Sequence, residues 1–173
     1  MRDVTDQYDN VAELSTVADA ATDAMESSMD GRSGYHVGAA VRAHIEGGLS
    51  HDEKSSGTEE YLYTGTNINF SGIQTKVHAE QMALRQLLLD MQQFSDKSDV
   101  RINDVVVRTS EDDMALVCGH CIQVFVGACE EFGFNPTSIR YIACSACEHP
   151  KSKYKYEKKM LADLMAPSYV ELD

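Results

Sequence analysis

Tryptophan is absent from this 173-residue chain, proline occurs only three times, and basic residues are outnumbered 15 to 28 by acidic ones. So few prolines, with 43% hydrophobic residues, suit an ordinary compact fold. The length fits a single domain, residues 1–173, able to bury a core without covalent staples. The formal charge of −13 argues against binding a nucleic-acid polymer, because phosphate contacts need clustered Lys and Arg. It also fits a hydrated surface suited to high salt. No apolar run approaches the roughly 20 residues that span a bilayer. The opening stretch MRDVTDQYDN is acidic and lacks an apolar core, so it does not read as a secretory signal. The expectation is a cytoplasmic protein that does not engage membranes.

What is present is an odd number of cysteines, five, four of them in two C-x-x-C pairs: Cys118/Cys121 and Cys144/Cys147. In a reducing compartment that pattern points to metal or redox chemistry before disulfides.

Hydrophobic periodicity outlines the elements. From Thr5 to Met29 the positions Val11, Leu14, Val17, Ala18, Ala21 and Met25 recur at helical spacing, and Asp30-Gly31 ends that helix. YHVGAAVRAHI alternates with period two and predicts a strand, and YLYTGTNIN predicts its return partner across a long polar loop. VHAEQMALRQLLLDMQQF predicts a helix, DVVVRTS a strand covered on both sides, CGHCIQVFVGACEEFG a helix, SIRYIACS a strand, and KKMLADLMA a final helix. The order α-β-β-α-β-α-β-α implies an α/β fold with a mixed sheet. The basic run KSKYKYEKK (151–159) reads as a solvated loop or helix face.

Two motifs carry chemistry: HAE at 78–80 and CGHC at 118–121, both at expected helix starts. Cys118 and Cys121 project from one helical face, where unpaired N–H groups and the positive dipole end favour thiolates. His78 can add a neutral imidazole. Three such ligands leave a fourth tetrahedral position open, the mark of a catalytic zinc rather than a structural one. Water on such an ion can reach a pKa near ~7 and act as hydroxide, and Glu80 is placed as its proton shuttle. H-x-E followed by C-x-x-C is also the signature of zinc deaminases acting on nucleobases.

On these residues the chain resembles the cytidine deaminase family, the small type acting on free nucleosides. YHVGAAV, TGTNINFSG, HAEQ, CGHCIQV and LMAPSY are each similar to a family segment, in family order, and His78 lies eleven positions after Asn67. The resemblance implies a three-layer α/β/α sandwich and a homotetramer, with a homodimer as the alternative. It implies zinc held by His78, Cys118 and Cys121, and Glu80 as the proton-transferring residue outside the coordination sphere. It implies substrate contacts from Tyr35, Asn67, Asn69 and Ala79, with Tyr169 stacking on the base from a neighbouring subunit. The implied reaction turns cytidine or deoxycytidine into the uridine product and ammonia. One detail agrees on charge. Relatives with three thiolates on zinc carry an Arg after the glutamate, whereas a centre with one imidazole is neutral and needs none; here that position is Gln81.

The chain also departs from the family pattern. Asn69 stands where a ribose-binding Glu is expected, Val117 where a Pro is expected, and Ile122 where an Arg is expected; the loop at 46–60 is long. A carboxylate accepting from a hydroxyl makes a charge-assisted bond about twice as strong as a neutral one. Asn69 therefore motivates a second substrate reading: a modified nucleoside or a nucleoside antibiotic such as blasticidin S. Outside the enzyme class, the rival is a non-catalytic domain with a structural zinc on Cys118, Cys121, Cys144 and Cys147, although the 22-residue spacing between the pairs exceeds the usual ~15–20. A dithiol oxidoreductase reading of CGHC wants a preceding Trp, which the chain lacks.

Overall fold

The computed structural model describes residues 11–30, 34–46, 57–69, 76–92, 100–111, 118–149 and 152–165. In chain order these form α1 (Val11–Glu26), β1 (Met29–Asp30), β2 (Val37–Glu46), β3 (Thr58–Thr66), β4 (Ile68–Asn69), β5 (Lys76–Val77), α2 (Ala79–Met91), β6 (Val100–Thr109), α3 (Gly119–Phe132), β7 (Arg140–His149), β8 (Ser152–Met160) and α4 (Leu161–Met165).

The main sheet has the order β3-β2-β6-β7-β8. β6 and β7 are parallel and the other neighbours antiparallel, so the sheet is mixed, as expected. Its two faces are separated by strand alternation. Ala39, Val41, Val105, Val107 and Tyr141 join a core with Leu84 and Leu87 of α2 and Phe125 of α3. Ala40, Val106, Ile142 and Cys144 face the other way, against Val17, Ala18 and Ala21 of α1. This is the three-layer α/β/α arrangement. Among the described residues, no helix is long and apolar enough to cross a membrane.

Two glycines let helices touch strand backbone. A side chain at Gly38 of β2 would collide with the Ala21 carbonyl and the Met25 backbone of α1. One at Gly65 of β3 would collide with the Ala79 carbonyl and with Ala83 in α2. Gly133 ends α3 in the left-handed region, φ 75°, donating its N–H to the Cys129 carbonyl at 2.9 Å.

The α1 side of the sheet also buries charge. Asp104 is fully buried, accepting from Arg42 Nε at 2.6 Å and from Arg140 Nε and Nη2 at 2.6 and 2.9 Å. Glu13 of α1 and Glu60 of β3 sit 3.6 and 3.5 Å from Arg42 Nη1, so Arg42 and Arg140 both have carboxylate partners.

Three expectations need correction. Residues 152–159 of the basic run are neither loop nor helix face but belong to the edge strand β8, antiparallel to β7. Tyr154 and Tyr156 pack toward α1 while Lys153 and Lys155 face solvent, and lysines on an edge strand discourage pairing with other chains. The final helix consequently starts at Leu161, later than predicted. The first helix ends at Glu26, and Met29 belongs instead to a small sheet of order β1-β4-β5; positions 5–10 of the predicted helix lie outside the described residues.

Candidate active site

The N-terminal ends of α2 and α3 bring the two motifs together. His78 and Cys118 occupy the N-cap positions of these helices, both with extended backbone and neither making a side-chain capping bond. Capping positions favour Ser, Thr, Asp or Asn because their oxygens satisfy orphan N–H groups. Here the imidazole and thiol turn elsewhere. Cys121, one helical turn on and fully buried, points to the same place. The ligand atoms of His78, Cys118 and Cys121 lie within 4.8 Å of one another, the one cluster of three or more metal-competent groups among the described residues.

Electrostatics at this point ask for a cation. Burial, then the Glu80 carboxylate and the Cys118 thiol, push the Cys121 thiol well above its ordinary range. A bound metal inverts that balance by favouring thiolates. Both helix N-termini point their positive ends at the same spot, which favours thiolate further.

Glu80, in the first turn of α2, is buried, and its Oε1 accepts a hydrogen bond from the Tyr141 hydroxyl at 3.0 Å. Burial, then Glu80, hold the Tyr141 hydroxyl well above its ordinary range, so it remains a donor. His120 is exposed and outside the cluster; its ring lies edge-on to His78 at 5.9 Å.

Beside this cluster opens a cavity of about 250 Å³ whose lining includes His78, Ala79, Glu80 and Cys118. Val107 and Thr109, toward the end of the central strand β6, also line it, as do Tyr35, Asn67, Asn69 and Lys76. The size suits a small polar molecule rather than a drug-sized one. Tyr35 is exposed at the mouth.

Asn67 has a structural commitment that the sequence did not announce. Its Oδ1 accepts from the Val37 N–H at 2.8 Å and the Ser28 hydroxyl at 2.7 Å, while Nδ2 donates to the Tyr35 carbonyl at 2.9 Å. That leaves one amide hydrogen for a ligand. Asn69 is paired across the small sheet with Lys76, and both line the cavity. Tyr169 lies outside the described residues.

Sequence reasoning missed Tyr141 and Lys76. The signal for Tyr141 was a tyrosine among apolar residues on a strand expected to be buried, whose hydroxyl had to find a partner. For Lys76 it was a cation two residues before His78 in an acidic chain.

Cys144 belongs to the opposite face of the sheet, beneath α1, where burial pushes its thiol up to about 12. It is not part of the cluster made by Cys118 and Cys121. The side chain of Cys147 lies outside the described residues.

No protein-family model and no curated protein sequence matches the chain. Solved structures do. The cytidine deaminase from Burkholderia pseudomallei superposes with a TM-score of 0.59 at 19% identity, covering 87% of this chain and 94% of that one. The cytidine deaminase from Mycobacterium tuberculosis gives 0.54 at 19% identity, covering 89% and 94%. That from Mycobacterium leprae gives 0.55 at 19% identity, covering 89% and 98%. The protein is an α/β sandwich with a mixed five-stranded sheet. More particularly, it has the cytidine deaminase fold.

Proposed function

We propose that this protein is a zinc-dependent hydrolytic deaminase of a free pyrimidine nucleoside, cytidine or deoxycytidine, giving uridine or deoxyuridine and ammonia. The observation that carries this reading is the meeting of His78, Cys118 and Cys121 at one point, with buried Glu80 on the same cavity. The donor set fits zinc. Two sulfurs and an imidazole nitrogen are among its preferred ligands, and three protein ligands leave a tetrahedral position open. Two thiolates and a neutral imidazole also match the ion's charge, giving a neutral centre suited to burial. Bound there, zinc supplies the Lewis acidity that makes water a nucleophile near neutral pH.

The chain's own residues handle protons and orientation. As water adds to C4 of the base, Glu80 takes its proton and delivers it to ring N3, where it stays; Glu80 then takes the proton of the new C4 hydroxyl and passes it to the departing amino group. Water is consumed, the C4–N bond breaks, and ammonia leaves a carbonyl behind. Asn67 offers its remaining amide hydrogen to a sugar hydroxyl, Asn69 and Ala79 border the substrate, and Tyr35 flanks it at the mouth.

The proposal takes the whole chain, 1–173, as one cytoplasmic catalytic domain assembled as a homotetramer, with Tyr169 of the partner subunit over the base. Exposed Met29 and Tyr35 beside the cavity mouth support burial of this rim between copies. The test is ammonia release from a panel of aminated nucleosides and bases, at low and high salt. Turnover of cytidine that disappears in Glu80→Ala while zinc is retained supports the proposal. No ammonia from any member favours a non-catalytic nucleoside-binding domain.

A second substrate reading has its own observation. Asn69 is neutral, and Lys76 stands beside it on the cavity wall. An amide and an ammonium together suit a carboxylate or phosphate that a glutamate at position 69 would repel. This pair favours a modified aminopyrimidine nucleoside bearing an anionic substituent on or near its sugar. The same panel, extended to sugar-carboxylated and phosphorylated members, decides between the two.

A further inference from the structure

We infer that Tyr141 is the positioning residue for Glu80: its hydroxyl pins one carboxylate oxygen and so presents the other to the reacting centre. This rests on the deaminase reading and adds to it a residue that the sequence motifs do not contain.

The geometry is direct. Tyr141 projects from β7 onto the α2–α3 side of the sheet, 2% exposed, beside Val105 of the central strand. Its hydroxyl crosses to the first turn of α2 and donates to Glu80 Oε1 at 3.0 Å, in a contact buried at both ends. The two residues are 61 apart in the chain, so the contact depends on β7 lying parallel to β6 in its observed register.

A glutamate side chain has three rotatable bonds and two equivalent oxygens, and a shuttle must hold one of them still over the reacting atoms. Close to Glu80 stand the thiols of Cys121 and Cys118, two of the three groups that would hold the cation. A carboxylate without a donor in that setting is free to swing away, or toward the cation it should not ligate. The Tyr141 hydroxyl counters both. It can serve because tyrosine is a donor that does not change charge with its partner, unlike histidine or lysine at the same position. Occupying Oε1 also divides the labour within the carboxylate: Oε1 is held by the protein and Oε2 moves the proton.

The experiment compares wild type, Tyr141→Phe, Glu80→Gln, Asn69→Ala and a protein carrying 3-fluorotyrosine at position 141, each as the zinc-loaded full chain. Tyr141→Phe is expected to lower kcat about 10- to 100-fold while KM stays within about twofold and zinc content equals wild type. Fluorotyrosine, which keeps ring and hydroxyl, retains kcat within about threefold. Its fluorine resonance shifts in Glu80→Gln and stays in place in Asn69→Ala. The inference is overturned if Tyr141→Phe keeps kcat within about twofold, or if it loses zinc and raises KM in parallel, which marks a packing role. Should Tyr141→Phe not fold, the fluorine signal decides, and indifference to Glu80→Gln overturns the inference. Wild type that releases no ammonia from any nucleoside overturns the deaminase reading itself, and this assignment with it; active wild type with an unaffected Tyr141→Phe overturns the assignment alone.

Discussion

Gly65 of β3 lies directly against Ala79, the first residue of α2, with no room for even a methyl group between the strand and the helix. Ala79 stands between His78 and Glu80, so this one contact fixes the height of both side chains above the sheet. The cavity wall and the metal-competent cluster therefore share a reference point on strand backbone.

Replacing Gly65 by alanine forces α2 to lift. The expected outcome is a loss of about 1–3 kcal/mol in stability, typical of overpacking, together with weaker zinc retention. Denaturant titration and metal analysis of Gly65→Ala check both. Unchanged zinc content and stability would show that α2 has other means of holding its place.

His78→Ala and Cys118→Ser each remove one donor from the three-membered cluster and should abolish stable zinc binding. Cys144→Ala should leave zinc content at the wild-type level, because Cys144 lies on the other face of the sheet. Metal content after dialysis distinguishes these outcomes; zinc lost from Cys144→Ala would instead support the four-cysteine site.

Substrate preference should answer to Asn69 and Lys76. Asn69→Glu is expected to raise kcat/KM on cytidine, by about tenfold for one charge-assisted bond, if the natural ligand carries a different sugar. Lys76→Glu is expected to leave neutral nucleosides within about threefold and to depress any anionic one by more than about tenfold. Steady-state kinetics on paired neutral and anionic substrates give the answer.

Asp104 is the hub for two arginines and is wholly buried. Asp104→Ala leaves Arg42 and Arg140 without their shared partner and should cost about 3–5 kcal/mol, the range for breaking a buried ion pair from one side. Urea unfolding at neutral pH measures it. A loss below about 1 kcal/mol would mean Glu13 and Glu60 suffice for Arg42.

Asp19 gives a small acid-limb signal. Bonds from Lys153 and then Tyr154 hold its carboxyl below the ordinary 3.8. A depressed folded-state pKa contributes stability that is present above the unfolded value and lost as pH falls through the folded one. Asp19→Asn should therefore lower stability at pH 5 to 7 and converge with wild type below about pH 3. The difference is modest because the pair is exposed, and salt should shrink it. Thermal melts across pH test the convergence.

The elements that burial imprints on one face were legible in the sequence. Val17, Ala18 and Ala21 marked α1, and Ala39, Val41 and Ala43 marked β2, because a half-buried element repeats its apolar residues at its own period. β8 escaped because lysines occupy its outward positions, and the tyrosines between them looked like part of a solvated charge run. The two-residue strands β1, β4 and β5 are too short to carry a period at all. Of the cavity, the residues carried by local motifs were readable: His78, Glu80, Cys118 and Cys121. The contacts that cross the chain were not. Nothing local says that Asn67 ties Ser28 to Val37, or that Tyr141 reaches Glu80, since both depend on how distant strands come into register.

His78 and Cys118 stand where each helix would ordinarily satisfy its own first N–H groups, and neither does so. An ion gripped by both would thus act as a clasp, holding two helical openings that the chain has left undone. Chelation should then loosen a pair of first turns together, and amide exchange at residues 79–82 and 119–122 would quicken in step as the metal is withdrawn.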